Sequence, residues 1–164
     1  MKVKLTNMQI ISELAPALSE LKTMRTPGNV TIATVRTFGE CEKAVKDYET
    51  ARISILNNFC KKENGKPVIK DNQYQFDSPE DKASAEAEIR KIVETEVELD
   101  VHQVSSTVFE KVEISGNLYE VLVRYQFIDD KVVSKNIKDA QSFLKKVADE
   151  KEPEKEKEAE PVAN

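Results

Sequence analysis

Residues 38–59 read FGECEKAVKDYETARISILNNF and carry the longest periodic signal in this chain. Side chains on one face of this stretch recur at alternating spacings of three and four residues, and they are Phe38, Cys41, Val45, Tyr48, Arg52, Ile55 and Phe59. This heptad periodicity predicts a long α-helix over about 31–62 with an apolar seam that must be covered. Gly39 weakens such a helix by about 1 kcal/mol relative to Ala.

An amphipathic segment before the seam can cover part of it. Apolar residues at helical spacing predict a helix over 8–25, with Thr6 and Asn7 as good N-cap residues. Pro16 lies inside this segment and is expected to kink the helix or delay its start. The sequence Thr-Pro-Gly-Asn at 26–29 then predicts a break before the long helix.

A second amphipathic segment follows the seam. Asp77 and Ser78 precede Pro79, and two acidic residues come next, which predicts a helix starting at Pro79 and running to about residue 96. The two flanking helices can therefore cover the seam within one chain. The alternative is a homo-oligomer in which residues 38–59 of two copies form a coiled coil.

Three short stretches predict β structure. Apolar residues on both sides of Asp71-Asn72 predict a hairpin over 67–76 with a two-residue loop. Apolar and acidic residues alternate over 96–102, which predicts a strand with one wet face. Residues 2–5 alternate in the same way and can form a short strand.

Residues 107–128 fit two interpretations. Alternation near the end of this stretch, with a turn at 115–117, predicts a hairpin, whereas the residues from Asn117 onward also predict a capped helix. A last helix is predicted over 135–148. The predicted fold class is α+β and mostly helical, with a long central helix packed by shorter helices, a small β-hairpin and one or two short strands. We expect one compact domain over 1–148 and a disordered Lys/Glu/Pro-rich tail over 149–164.

Composition excludes several classes of function. Of 164 residues, 39% are hydrophobic and 34% are charged, and the net charge is −5 with a pI near 5.2. An acidic chain of this kind is repelled by nucleic acid and anionic membranes, so binding to either is not expected. No apolar run of about 18 residues predicts a membrane span, and Met1–Leu5 lacks the apolar core of a signal peptide. We therefore expect a cytoplasmic protein.

The residues that usually carry catalysis or bind metals are few. Cys41, Cys60 and His102 are the only cysteines and histidine, which is too few for a zinc site built from thiolates and imidazoles alone. We expect the cysteines to be buried, reduced hydrophobes. Asp100 and His102 can share one side of a strand, but no nucleophile motif accompanies them. The sequence thus predicts a non-enzymatic protein without a cofactor or a metal.

Two groups of charged residues are candidate binding residues. Arg52 is the one charge in the seam, and it can offer a guanidinium group to a partner's carboxylate or pair with Glu49. The second group lies in the acidic stretch 79–100, in which Lys82, Arg90 and Lys91 interrupt the acids. Its members are Glu86 and Glu88 and the four candidate binding residues Glu94, Glu96, Glu98 and Asp100. These acids can mimic the phosphates of a nucleic acid, although an ordinary solvated face is the simpler interpretation.

Basic residues give a further candidate and an alternative. A small basic cluster flanks the predicted hairpin beside Tyr74 and Phe76, and it consists of Lys61, Lys62, Lys66 and Lys70. Acidic neighbours dilute its field, so nucleic-acid binding there is not expected. A module that sequesters a nucleotide signal would need converging cations, for which the candidates are Arg36, Arg52, Arg90 and Arg124.

Several of these motifs resemble a group of small uncharacterised proteins of tailed bacteriophages. They are Asn7 opening an apolar helix, Tyr48-Glu49-x-x-Arg52, Glu63-Asn64-Gly65-Lys66, Tyr74, the stretch 96–102 and Ile114-Ser115. The resemblance covers roughly 1–128 and implies a helix over 117–128, although Gly116 and the long tail depart from the pattern. It implies a phage gene product in the host cytoplasm and no assigned activity. Together with the acidic surface, it leads us to expect a protein that binds another protein, as an inhibitor of a host defence complex or as an accessory of virion assembly.

Overall fold

A computed structural model describes residues 1–131, of which Met1–Asp130 form one compact unit. Its main elements follow in order: β1 Lys2–Thr6, α1 Asn7–Gln9, a π-helical turn Ile10–Leu14, α2 Ala15–Thr23, α3 Gly28–Phe59, β2 Lys62–Glu63, β3 Lys66–Pro67, β4 Ile69–Lys70, β5 Gln73–Tyr74, α4 Pro79–Glu94, β6 Glu96–Asp100, β7 Val104–Ser105, a 3-10 helix Ser106–Lys111, α5 Gly116–Arg124 and β8 Ile128–Asp129. The predicted α+β, mostly helical class is confirmed. The helix predicted over 135–148, the domain end at 148 and the tail over 149–164 lie outside the described residues.

The helical segment from Asn7 to Thr23 absorbs its proline with a change of helix type. Thr6 is the N-cap: its hydroxyl accepts from the Gln9 amide, and the Gln9 side chain accepts from the Thr6 amide. A π-helical turn follows and ends where the Ala15 amide donates to the Ile10 carbonyl. Pro16 comes directly after this turn, at the start of α2. In an α-helix a proline has no N–H to donate to the carbonyl four residues back, and its ring collides with that carbonyl. The wider turn is our explanation for how the helix continues through the proline.

The long helix α3 is a single element, as the seam predicted, but it begins earlier than residue 31 and ends before residue 62. Pro27 caps it with an extended backbone, and Lys61 is already hydrogen-bonded to Gln75 in the neighbouring hairpins. Both α2 and α4 contact α3, as expected for a seam covered by its own chain. The most deeply covered face nevertheless lies toward the N-terminal half, and its members are Val30, Ala33, Thr34, Thr37 and Cys41.

Two threonines allow that face to be buried. The Thr34 hydroxyl donates to the Val30 carbonyl at 2.8 Å within the helix. The Thr37 hydroxyl accepts from the backbone amide of His102 at 3.0 Å, which fixes the chain after β6 against α3. Because both oxygens have partners, the two side chains can be almost completely buried at little cost.

A two-stranded antiparallel sheet closes one side of the helices. β1 pairs with β6 in a register that places Val3 opposite Leu99 and Lys4 opposite Glu98. Val3, Leu5 and Leu99 are buried, whereas the lysines and acids alternate with them on the wet face. The strand predicted over 96–102 is therefore present, and its partner is the segment at 2–6.

Two tight hairpins follow one another between α3 and α4, and we refer to residues 61–76 as the hairpin lobe. The predicted loop Asp71-Asn72 joins β4 to β5, and the earlier turn Asn64-Gly65 joins β2 to β3. All four turn residues have positive φ, between 50° and 76°, which is the requirement of two-residue hairpin loops. Backbone bonds of 2.7–2.9 Å connect Lys61, Val68 and Gln75 in a ring and hold the two hairpins together.

Residues 107–128 were predicted to form either a hairpin or a capped helix, and the structure shows which of the two is present. Ser115 caps α5 by accepting from the Leu118 amide, so no hairpin forms here, and residues from Ser106 form a 3-10 helix. The helix that the resemblance implied over 117–128 is present only as far as Arg124, because α5 ends at its C-cap Tyr125. The alternation near the end of 107–128 has a different cause: the chain turns at Gln126, with φ 62°, and β8 then pairs in parallel with β7. None of the helices within residues 1–131 has a stretch both long and apolar enough to cross a lipid bilayer.

Candidate functional site

A concave surface lies where the hairpin lobe meets α3 and α4. We call this depression of about 640 Å³ the Arg52 cleft, and its lining includes Arg52, Leu56, Tyr74, Phe76, Lys82 and Ile89. Arg52 and Leu56 come from α3, the aromatic residues from β5 and the loop after it, and the others from α4. Three elements distant in sequence therefore build one site.

Local sequence signals position these side chains. The tight turn at Asp71-Asn72 returns the chain so that Tyr74 lies opposite Ile69 in the hairpin. Ser78 then caps α4, because its hydroxyl accepts from the Asp81 amide at 3.0 Å. The cap fixes the first turn of α4, and Lys82 follows one turn after it and faces the cleft.

Charged groups form the rim of the Arg52 cleft and apolar groups its floor. The Arg52 guanidinium donates to Glu49 at 3.0 Å along α3, and its side chain is still 42% exposed. The Lys82 Nζ lies 3.8 Å from the Glu86 Oε1. Beneath them Leu56 and Ala85 are buried and Ile89 is half-buried. A polar rim around an apolar floor is the usual anatomy of a protein-binding surface.

The four acidic candidates do not join Arg52 in this cleft. Glu98 is paired with Lys2 on the neighbouring strand, and this hydrogen bond lowers the pKa of Glu98 below its usual range. Asp100 accepts from the amino group of Met1 at 3.0 Å, and that bond likewise lowers the pKa of Asp100. The structure gives Glu94 and Glu96 no ion pair within residues 1–131.

Cross-strand pairing changes the interpretation of this acidic face. Lys2 and Lys4 stand directly opposite Asp100 and Glu98 in the sheet register. Opposite charges at this spacing neutralise one another locally. The wet face of this sheet therefore carries lysines on β1 beside the acids on β6, which fits the solvated interpretation better than a row of phosphate mimics.

The four arginines proposed for a nucleotide are dispersed. Arg124 donates to Glu13 at 2.9 Å and to Glu120 at 2.6 Å, so it connects α5 to the π-helical turn. Beside it, burial and then a hydrogen bond with Glu13 raise the pKa of Tyr125 to about 12. Arg36 lies in a separate groove near the start of α3, and Arg90 is exposed on α4. Of the four arginines, only Arg52 lies in the cleft.

The two cysteines and the histidine do not belong to a metal-binding cluster within residues 1–131. Cys41 and Cys60 are buried free thiols, as predicted, and burial raises the pKa of Cys41 to about 12. The side chains described in residues 1–131 include no group of three or more histidines, cysteines or acids able to hold a metal ion. The hydroxyl of Ser105, three residues after His102, is hydrogen-bonded with Thr107.

Sequence reasoning located only part of the cleft. It selected Arg52 from the seam and noted Tyr74 and Phe76 as aromatics of the hairpin, but it did not bring them together. It assigned Lys82 and Glu86 only to the acidic stretch 79–100, although their spacing with Ile89 places all three on one face of the predicted helix. The turn between the helices determines this meeting, and periodicity carries no information about turn direction.

Comparisons with known proteins add no assignment. No protein-family model matches the chain, and neither a curated protein nor a solved structure matches it. The similarity to tailed-phage proteins therefore stays a prediction from the sequence motifs.

Proposed function

We propose that this protein is non-enzymatic and acts by binding another protein through the Arg52 cleft. The observation that carries the proposal is the convergence of Arg52 and Tyr74 above an apolar floor. Arginine and tyrosine are among the residues that contribute most to protein interfaces, because they combine a large contact area with directed hydrogen bonds. A partner segment with an apolar side chain for the floor and a carboxylate for Arg52 would use both features.

The phage resemblance suggests the setting. The partner is a host or phage protein in the bacterial cytoplasm, and the role is inhibition of a host defence complex or assistance in virion assembly. Co-purification with one host protein favours the inhibitor role, whereas sedimentation with head or tail components favours the assembly role.

Affinity capture with matched variants tests the proposal. The full chain is immobilised and exposed to lysates of infected and uninfected host cells, and the retained proteins are identified by mass spectrometry. Arg52→Glu reverses the charge at the cleft, and Arg90→Glu makes the same change on the exposed side of α4. We expect a specific partner with the unmodified chain and with the Arg90 variant, and its loss with the Arg52 variant.

Folding and stoichiometry need their own controls. The Arg52 variant places a second acid three residues from Glu49, which costs a few tenths of a kcal/mol, about the effect of an unfavourable helix pair. Its melting curve should therefore stay close to that of the unmodified chain. Equal retention by both variants would contradict binding at the cleft. Light scattering shows whether the partner is a second copy using residues 38–59.

A nucleotide is the second candidate, because the cleft places Arg52 and Lys82 near two aromatic rings. The rings could stack on a base while the cations bind phosphate. A panel of nucleotides in a thermal unfolding assay separates the two candidates. A specific nucleotide at about 100 times its Kd adds about 2.7 kcal/mol of stability, and no shift with any nucleotide removes this candidate.

A further inference from the structure

A second concave surface lies near the beginning of α3, away from the residues that line the Arg52 cleft. We call this depression of about 430 Å³ the Ile32 groove, and its lining includes Ile32, Ala33, Arg36, His102, Val104 and Val108. One wall is the N-terminal part of α3, and the other is the chain from His102 to Val108. Nothing proposed above uses this groove.

Charge distinguishes the groove from the Arg52 cleft, whose lining includes Asp77 and Glu86. The chain carries 30 acidic and 25 basic residues, yet no lining residue of this groove is an acid. Arg36 is exposed and has no ion pair among the described residues, whereas Arg52 and Arg124 are paired with glutamates. Asp100 is close enough to His102 for the two to interact, but the Met1 amino group holds its carboxylate. The groove therefore favours an anionic ligand.

Its walls are mixed in polarity and fixed. Ile32, Ala33, Val104 and Val108 supply apolar surface, whereas Asn29, Gln103 and Ser105 are polar. Ile32 is 56% exposed, so α3 offers an apolar side chain to a ligand here. The far wall is held by the hydrogen bond from the His102 amide to Thr37 at 3.0 Å and by one from the Val104 amide to the Phe127 carbonyl at 2.9 Å. A preformed wall reduces the ordering cost of binding.

We propose that the Ile32 groove binds a peptide segment of a partner protein in which a carboxylate adjoins an aliphatic side chain. The carboxylate pairs with Arg36, whose planar guanidinium can donate two parallel hydrogen bonds. The aliphatic group contacts Ile32 and Val108. A nucleic acid fits less well, because a chain of net charge −5 offers it only Arg36 and His102 here. This surface is additional to the Arg52 cleft and does not depend on it.

Selection from a random peptide library tests the proposal. The full chain is immobilised, a displayed library of short peptides is passed over it, and the retained sequences are read. The same selection uses Arg36→Glu and Ile32→Ser, with Arg90→Glu as the matched control for charge reversal. All three side chains are exposed, so none of these changes should unfold the chain.

The expected result has two parts. Enriched peptides contain Asp or Glu beside Leu, Ile or Val, and the enrichment disappears with Arg36→Glu and weakens with Ile32→Ser. A synthetic enriched peptide binds about tenfold more weakly to the Arg36 variant, and its affinity falls as salt rises. The Arg90 and Arg52 variants bind it as the unmodified chain does, so this test is independent of the cleft proposal.

Three results would overturn the proposal. The first is enrichment of peptides without acidic residues, or no enrichment at all. The second is equal enrichment with Arg36→Glu. The third is binding of a labelled oligonucleotide that Arg36→Glu abolishes, which would assign the groove to nucleic acid instead.

Discussion

Replacing Asn7 with aspartate tests how the start of the first helix is joined to the end of α4. The Asn7 side chain is 7% exposed. Its Nδ2 donates to the Ile92 carbonyl at 2.7 Å, and its backbone amide donates to the Thr95 carbonyl at 3.1 Å. Aspartate has nearly the same shape, but when ionised it presents an oxygen where Asn7 presents a donor. The substitution therefore changes the electrostatics of this junction with little change in packing.

The structure sets the size of the effect. Asn7→Ala removes one neutral hydrogen bond and should cost about 1 kcal/mol. Asn7→Asp adds a buried carboxylate facing a carbonyl oxygen, and at neutral pH we expect a loss of about 3 kcal/mol, comparable to leaving a buried charge unpaired. Protonation restores a donor to Ile92, so burial raises the pKa of this carboxyl in the folded state above its unfolded value of about 3.9.

The direction of the pH dependence follows from this shift. Below the unfolded pKa the aspartate is protonated in both states, and the variant should be nearly as stable as the unmodified chain. As the pH rises from there through the raised folded pKa, the folded state holds more protons than the unfolded state, and stability is lost until the carboxyl is ionised in both. Urea unfolding followed by circular dichroism at pH about 4 and about 7 measures this difference.

An exposed asparagine supplies the control. Asn117→Asp makes the same chemical change in the first turn of α5 and should alter stability by less than about 0.5 kcal/mol at either pH. An Asn7→Asp variant that is no less stable than Asn7→Ala at neutral pH would refute the reasoning. So would a loss of the same size at both pH values.

Two further predictions concern glycine and cysteine. Gly65→Ala should lower the free energy of unfolding by about 1 kcal/mol, because φ is +76° at this position. Gly39→Ala should raise the free energy of unfolding by up to about 1 kcal/mol, because an added Cβ meets open space beside α3. Urea unfolding measures both changes, and a change of the same sign at both positions would contradict the assigned conformations. The cysteines of the native chain should react only slowly with a thiol reagent at mildly alkaline pH, because burial raises the pKa of Cys41 to about 12 and Cys60 is also buried. In denaturant both thiols should react at once. Rapid reaction of both thiols in the native chain would show that the cover over α3 opens readily.

Local signals in the sequence predicted much of the fold. The seam predicted α3, Ser78-Pro79 predicted the start of α4, and the pair Asp71-Asn72 predicted a hairpin. These signals work because each depends on the conformational preference of a few adjacent residues. Asn64-Gly65 carried the same turn signal, but the strands beside it are only two residues long and show no apolar alternation.

Features that depend on tertiary contacts were harder to predict. Thr34 and Thr37 are polar in the sequence, and only their bonds to Val30 and His102 make them core residues. Alternation after residue 120 favoured a strand, whereas a turn at Gln126 separates helix from strand there. The acids on β6 suggested an acidic surface until the register placed lysines opposite them.

In the Arg52 cleft, too, local sequence signals identified single residues, whereas tertiary contacts determine which of them meet. The seam identified Arg52 because a charge at a seam position stands out, and the hairpin drew attention to Tyr74. Their proximity follows from the return of the chain through the hairpin lobe, which no periodicity encodes. The groove at Ile32 lies at a helix start that precedes Phe38, the first residue of the seam.

Site-specific photo-crosslinking shows whether a partner protein binds at the Arg52 cleft. A photoreactive amino acid replaces Gln73, an exposed residue lining the Arg52 cleft, or Ser84, which is exposed on α4 and outside the cleft lining. Each full-length chain is irradiated in host lysate, and covalent adducts are identified by mass spectrometry. We expect one partner protein to be crosslinked from position 73 and not from position 84. Equal crosslinking from both positions, or from position 84 alone, would contradict this expectation.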